Sequence, residues 1–227
     1  MALRFVSAGA AQGFVTALAQ RNGISVEGSF GAVGAMLERF REGEPCDIVI
    51  LTQAQVAQLV ADRSVVAETV IDLGVVPTSI AVPDACPSPD VASESSLRAS
   101  LLAADAIYFP DANRSTAGIH FAKVLERLGI ANEVAARVKT FPNGATAMRE
   151  MAAAPGRPIG CTQATEILAT PGIRLVAPLP SGCELETMYT AAASARAADS
   201  DAARAFIESI AEEASRPMRK AAGFRVG

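Results

Sequence analysis

Tryptophan is absent from this sequence, histidine occurs once and tyrosine twice. One histidine and four scattered cysteines leave little raw material for a structural zinc cage, which takes four nitrogen or sulfur ligands, so no metal is expected. Cys46, Cys86, Cys161 and Cys183 contain no C-x-x-C pair and sit beside apolar runs or turns, where they read as small buried or half-buried hydrophobes. There is no basic run. Lys and Arg number 20 against 24 Asp and Glu, giving a net charge of −4, which argues against a nucleic-acid partner. No stretch approaches the roughly 18 consecutive apolar residues of a membrane span, so no membrane insertion is expected. The first residues, Met1 to Ser7, read straight into a strand with no charged leader region. The expected location is therefore cytoplasmic if Met1 is the native start, and periplasmic if a leader has been removed.

Several motifs are missing as well. Gly9 to Gly13 does not fit G-x-G-x-x-G, and no P-loop occurs, so no nucleotide cofactor is expected. No serine lies in a G-x-S-x-G elbow, and His120 is the only base available to a triad. What remains is a chain of 227 residues, 50% hydrophobic and 19% charged, with enough apolar material for one or two folded domains.

Short apolar runs alternate with helical patterns. Strands are expected at 3–7, 24–30 and 47–51, and helices at 13–20, 32–41 and 53–62, with Thr52 as the N-cap of the third helix. This β-α-β-α-β-α order implies parallel strands and a sheet covered on both faces. A long β-rich run at 75–82 and a turn-rich loop at 83–89 break the rhythm. A second series follows: helix 97–104, strand 106–109, helix 117–128 closed by Gly129, strand 138–141, helix 145–153 and strand 159–162. Strands at 174–177 and 188–193 and helices at 201–213 and 217–222 complete it. The class is α/β. Two βα series predict two α/β lobes, residues 1–80 with about 186–227, and residues 81–185.

In open α/β sheets ligands sit beyond the carboxyl ends of strands, where helix N-termini offer free N–H groups to anions. The residues there are small or polar: Ala10 and Ala11; Ala32 and Val33; Thr52; Arg114, Ser115, Thr116 and Ala117; Asn143; and Gln163. Arg114 is the most pointed of them, because a guanidinium fork beside free helix N–H groups suits a carboxylate. Tyr189, on a late strand, is either a core residue or a hydroxyl offered to the ligand.

The segments SFGAVGAMLERFREGEPCDIVI (29–50), AGIHFAKVLERLGI (117–130), PIGCTQATEI (158–167) and AAGF (221–224) together resemble the type II periplasmic solute-binding proteins, in particular their molybdate-binding branch. The resemblance covers nearly the whole chain. It implies two lobes joined by crossover strands around a ligand cleft, and a transporter partner if the protein is exported. In that branch hydroxyls and backbone N–H groups hold a tetrahedral oxyanion. Here Ala10 and Ala11 stand about where a hydroxyl is expected, Ala32 and Val33 replace a serine run, and Gln163 takes the place of the binding tyrosine. Each lost hydroxyl bond costs roughly 1 kcal/mol, and Arg114 adds a charge that molybdate sites do not use. The expected ligand is a small organic di- or tricarboxylate.

The same broad family includes organic-acid binders and an enzyme, aconitate isomerase, so two functions follow. One is binding alone. The other is an intracellular isomerase that moves a double bond in a small polycarboxylate by a 1,3-proton shift. Its proton carrier would be His120, histidine being the side chain that exchanges protons nearest neutral pH, with Glu166 in reserve if burial raises its pKa.

Overall fold

The computed structural model describes residues 2–226. Along the chain, β1 (Ala2–Ala8), α1 (Gln12–Arg21), β2 (Ser25–Gly31), α2 (Val33–Arg41), β3 (Ile48–Thr52) and α3 (Gln53–Ala61) alternate before the long strand β4 (Ile71–Pro83). Next come α4 (Glu94–Ala103), β5 (Ile107–Pro110), α5 (Thr116–Arg127), α6 (Ala131–Val134), β6 (Val138–Phe141) and α7 (Gly144–Ala152). Then follow β7 (Ile159–Gln163), α8 (Ala164–Leu168), β8 (Ile173–Pro178), β9 (Glu186–Ala193), α9 (Ser200–Ala211) and α10 (Arg216–Ala221). The chain divides into two compact units. The first runs up to Val76 and resumes at Thr187; the second is Pro77–Glu186. β4 and β9 are the two strands that carry the chain from one unit into the other.

In the first unit β1 pairs in parallel with both β2 and β3, as the βα order requires. β9 then adds to β3 antiparallel, with Ile48 opposite Ala193 and Thr52 opposite Tyr189, so the sheet is mixed rather than all-parallel. The physical reason is the route of the chain: β9 arrives from the second unit without a helical crossover, and only crossovers impose parallel order. Leu3, Phe5, Val6 and Ile48 to Leu51 are all fully buried, as expected of strands covered on both faces. α2 buries Val33, Met36 and Phe40 at helical spacing, and α9 buries Ala203, Phe206, Ile207 and Ile210. Phe206 meets Phe5 edge-on, ring centres 5.3 Å apart.

The second unit repeats the logic. β5 lies between β6 and β7, parallel to both, and β4 pairs antiparallel with β7 and β8. Ile80, Ile107, Phe109 and Ile159 pack with Leu97, Leu101, Phe121 and Val124 in one core. A smaller core on the other face joins Tyr108, Met148, Met151 and Ile167. α4 begins three residues before the apolar pattern suggests. Ser93 accepts from the Ser96 N–H at 3.1 Å while the Ser93 N–H donates to the Ser96 hydroxyl at 3.0 Å, a reciprocal cap that starts the helix early.

Candidate functional site

Each parallel strand delivers its chain into a helix N-terminus, and the expected ligand residues sit at those junctions. In the first unit a 3₁₀ turn, Gly9–Ala11, follows β1 and leads into α1, whose N-cap is Ala11. Ala32 is the N-cap of α2 and Val33 its first residue. Neither cap carries a side-chain oxygen, so neither helix has its first-turn N–H groups satisfied from the cap side chain. Ala10, Ala11, Ala32 and Val33 are all buried. Thr52 is the N-cap of α3, as the sequence predicts, and its hydroxyl donates to the Gln55 Oε1 at 2.9 Å. Tyr189 stands opposite Thr52 in register and meets Phe224 edge-on at 6.5 Å, in the core. Asp72 links the neighbouring positions, accepting from Gln53 Nε2 at 3.1 Å and from the Thr190 hydroxyl.

In the second unit the loop after β5 presents Arg114. The Asp111 carboxylate accepts from the backbone N–H of Asn113 (2.6 Å) and of Arg114 (3.1 Å), fixing the turn and hence where the exposed guanidinium starts. Asp111 is the positioning residue that sequence reasoning missed; its signal was an Asp two residues before Asn in a β-to-α loop. Ser115 caps α5, accepting from the Gly118 N–H at 3.4 Å, with Thr116 and Ala117 in the first turn. Gly118 is required here, since a Cβ would run into the Pro110 and Asp111 carbonyls.

His120 lies further along α5, half-buried. Its Nε2–H donates to the Cys183 carbonyl at 2.8 Å, which orients the ring and leaves Nδ1 as the other nitrogen. Asn143 caps α7, its Oδ1 accepting from the Thr146 N–H at 2.8 Å. Gln163 is buried as the N-cap of α8. Glu166 is buried too, and burial pushes its carboxyl up, as expected for a candidate acid–base group. Its oxygens are nonetheless engaged: the Thr162 hydroxyl donates at 2.6 Å, and the N–H groups of Ala145, Gln163 and Gly144 donate as well. Those donors oppose the upward shift.

Asn143, Gln163 and Glu166 thus form one neighbourhood around the starts of α7 and α8. Arg114 to Ala117 and His120 form another at α5. The polar partners of His120 and Glu166 are separate. Near the α8 start, the hydroxyls of Thr78 and Thr165 are buried with no hydrogen-bond partner among the described residues. Neither was singled out from sequence, because an unpaired hydroxyl leaves no pattern there. Among the described residues no group of three or more His, Cys, Asp or Glu is placed to hold a metal, and no helix is long and apolar enough to cross a membrane.

Comparison with known proteins places this geometry. The sequence matches the family model described as bacterial extracellular solute-binding protein across residues 3–225. The curated aconitate isomerase of Pseudomonas sp is 26% identical over 180 residues, covering 79% of this chain and 67% of that one. Among solved structures, the Azotobacter vinelandii periplasmic molybdate-binding protein matches with a TM-score of 0.78 at 16% identity, covering 99% of both chains. The sulfate-binding protein SubI of Mycobacterium tuberculosis matches with a TM-score of 0.72 at 19% identity, over 99% of this chain and 86% of its own. At such identities the structures speak for the fold, a mixed α/β architecture of the periplasmic-binding kind.

Proposed function

The chain belongs to the bacterial extracellular solute-binding proteins, and on that premise we propose that its solute is a small organic di- or tricarboxylate, not a tetrahedral metal oxyanion. The observation that carries this reading is Arg114, a guanidinium set by the Asp111 turn at the start of α5. A planar fork matches a planar carboxylate with two parallel N–H···O bonds. The alanine caps of α1 and α2 support it from the other direction. They supply backbone N–H groups but no hydroxyl, and a tetrahedral oxyanion without hydroxyl donors is poorly satisfied. The relative named aconitate isomerase points to the same chemistry, since aconitate is a tricarboxylate. Asn143, Gln163 and Thr52 are the polar side chains proposed to complete recognition, Tyr189 being a core residue.

The family supports a periplasmic setting and delivery of the solute to an ABC-type transporter. Isothermal titration with cis- and trans-aconitate, citrate and tricarballylate, against molybdate and sulfate, tests the ligand class. At least one acid should bind saturably, and Arg114→Ala should weaken it by about 1.5–3 kcal/mol, the value of a charge-assisted bond. Tight molybdate binding with no response to any acid would overturn the proposal.

The aconitate isomerase relative favours one further reading, that the bound acid is also turned over. The reaction would be a 1,3-proton shift: one carbon loses a proton, charge builds on the adjacent carboxylate, and the proton returns two carbons away. Arg114 and helix N–H groups would stabilise that charge. His120, with Nδ1 left over after its Cys183 bond, is proposed as the carrier, and Glu166 as the alternative. Incubation in D₂O should place deuterium at the allylic carbon. Exchange that is unchanged in His120→Gln removes His120 from the role, and no exchange with any acid leaves binding alone.

A further inference from the structure

Among the described residues five helices end in the same way, and one of the five breaks the rule. After α1, α2, α3, α5 and α10 the chain closes with paired backbone bonds. The residue after the cap donates to a carbonyl three residues back, and its successor donates to one five back, as in Gly23 N–H to Gln20 O and Ile24 N–H to Ala19 O. The closing residue must adopt a left-handed conformation, and at four of the five ends it is glycine: Gly23, Gly43, Gly129 and Gly223, with φ of 66, 93, 68 and 98°. At the end of α3 it is Arg63, φ 55°, the only non-glycine with positive φ among the described residues. A Cβ in this region is strained, and this chain uses glycine wherever the turn alone matters. At 63 the chain bears that strain and carries a side chain where the other four ends have none.

Arg63 lines a pocket of about 300 Å³ in the first unit, together with Phe40, Arg41, Asp62, Ser64 and Arg196. The pocket lies where α2 and α3 end and where the chain leaves β9. Ala193, the last residue of β9, pairs with Ile48, the first of β3, so this is the amino end of β3. The junctions at Ala32 and Thr52 lie at the carboxyl ends of their strands. The pocket is thus a different place from the ligand junctions of the first unit. Three arginines and one aspartate are among the residues that line it.

Arg196 is held: its plane lies over the Phe40 ring at 5.4 Å, and Nη2 donates to the Phe40 carbonyl at 2.8 Å. Arg41 and Asp62 make only a loose pair at 3.9 Å, both more than half exposed. Among the described residues the Arg63 guanidinium and the Ser64 hydroxyl have no hydrogen-bond or ion-pair partner. A cavity with two positive charges in excess, one guanidinium braced and one unengaged, fits a multivalent phosphate group.

We propose that this pocket is a binding site for a diphosphate group, separate from the carboxylate site and independent of that reading. Arg63 and Arg196 take the phosphate oxygens by charge-assisted bonds, and the Ser64 hydroxyl donates a third. Titration of the intact protein with pyrophosphate at constant ionic strength, by calorimetry and ³¹P NMR, tests it. Saturable one-to-one binding is expected, weakened at least tenfold by Arg63→Gly, which suits the backbone, and likewise by Arg196→Gln. Both variants should bind tricarballylate as the unaltered protein does. An ADP arm distinguishes a nucleotide-borne diphosphate from free pyrophosphate, and either preference supports the site. No saturable pyrophosphate binding, or unaltered binding in Arg63→Gly, overturns the proposal. So does loss of pyrophosphate binding in Arg114→Ala, which would assign the anion to the carboxylate site.

Discussion

The carboxylate of Glu166 lies where a Cβ at position 144 would have to be, so Gly144 and Glu166 are coupled without any exchange of charge. The same built atom would run into the Thr162 hydroxyl. Gly144 opens α7, and its bare Cα lets the buried carboxylate reach the first N–H groups of that helix. One acid in α8 thereby pins the start of α7.

Gly144→Ala should therefore destabilise the protein by about 1–3 kcal/mol, the cost of overpacking, despite the better helix propensity of alanine. Glu166→Ala leaves the N–H donors unpaired and should cost about as much by a different route. Because the methyl would occupy the space that the lost carboxylate vacates, the double variant should cost clearly less than the sum. Urea unfolding of the four proteins gives the coupling; simple additivity would show that the two residues do not share that space.

Asp47 supplies a pH dependence. Arg4 grips it with Nε to Oδ2 and Nη2 to Oδ1, both at 3.2 Å, while the N–H groups of Arg4 and Ala198 donate at 2.9 and 2.8 Å. Burial pushes the carboxyl up, but the Arg4 fork and the N–H donors outweigh it and hold the carboxyl below its ordinary value. The unfolded chain then takes up the proton first. The stability from this group is present above an ordinary aspartate pKa of about 4 and lost as the pH falls through the folded value. Asp47→Asn should cost about 1–3 kcal/mol at pH 7, with the gap to the unaltered protein narrowing below pH 4 in urea midpoints. A gap that stays constant with pH would deny the carboxylate this role.

Much of the fold was legible because the strands of both units are short apolar runs and the long helices carry a clean 3.6-residue stripe, as in α2 and α9. Thr52 and Gly129 announced a helix start and a helix end by chemistry alone. What escaped was local or long-range. α6 and α8, of four and five residues, are too short to show a period. The antiparallel entry of β9 depends on where the chain has been, which no local window records. The junction residues were found because helix starts after strands are readable. The engagement of Glu166 was not, since its donors come from the starts of two helices about twenty residues apart. The pocket at Arg63 gathers side chains from three distant segments, so no spacing could reveal it.

The four cysteines should behave unequally. Cys46, Cys161 and Cys183 are buried, and burial pushes their thiols up, that of Cys46 to about 12. The thiolate is the reactive form, so these three are protected both by access and by protonation. Cys86 is half-exposed, its Sγ 3.5 Å from the Gly156 carbonyl, at the edge of a second-unit pocket. A disulfide-exchange reagent at pH 8 should modify one thiol rapidly in the native protein and all four in guanidinium. Cys86→Ser should remove the fast phase, and a fast phase that survives it would place the accessible thiol elsewhere.

Arg63 makes a prediction that runs against ordinary expectation for an arginine in a folded protein. A non-glycine residue in the left-handed region carries roughly 1–2 kcal/mol of strain, while glycine costs about 0.5–1 kcal/mol more entropy than alanine on folding. The first term is the larger, so Arg63→Gly should leave the protein as stable or more stable, by up to about 1 kcal/mol. The paired closing bonds of α3, Arg63 N–H to Val60 O and Ser64 N–H to Leu59 O, are backbone bonds and survive the change. Arg63 lines one pocket with Arg41 and Arg196, so removing its charge also lowers like-charge repulsion there. Arg63→Ala is the control, since it keeps the Cβ strain and loses only the guanidinium. Thermal unfolding at matched ionic strength should rank Gly above both Ala and Arg. If Arg63→Gly is instead the least stable of the three, the arginine holds the α3 turn together, and the strain at this position is offset by a contact within the fold.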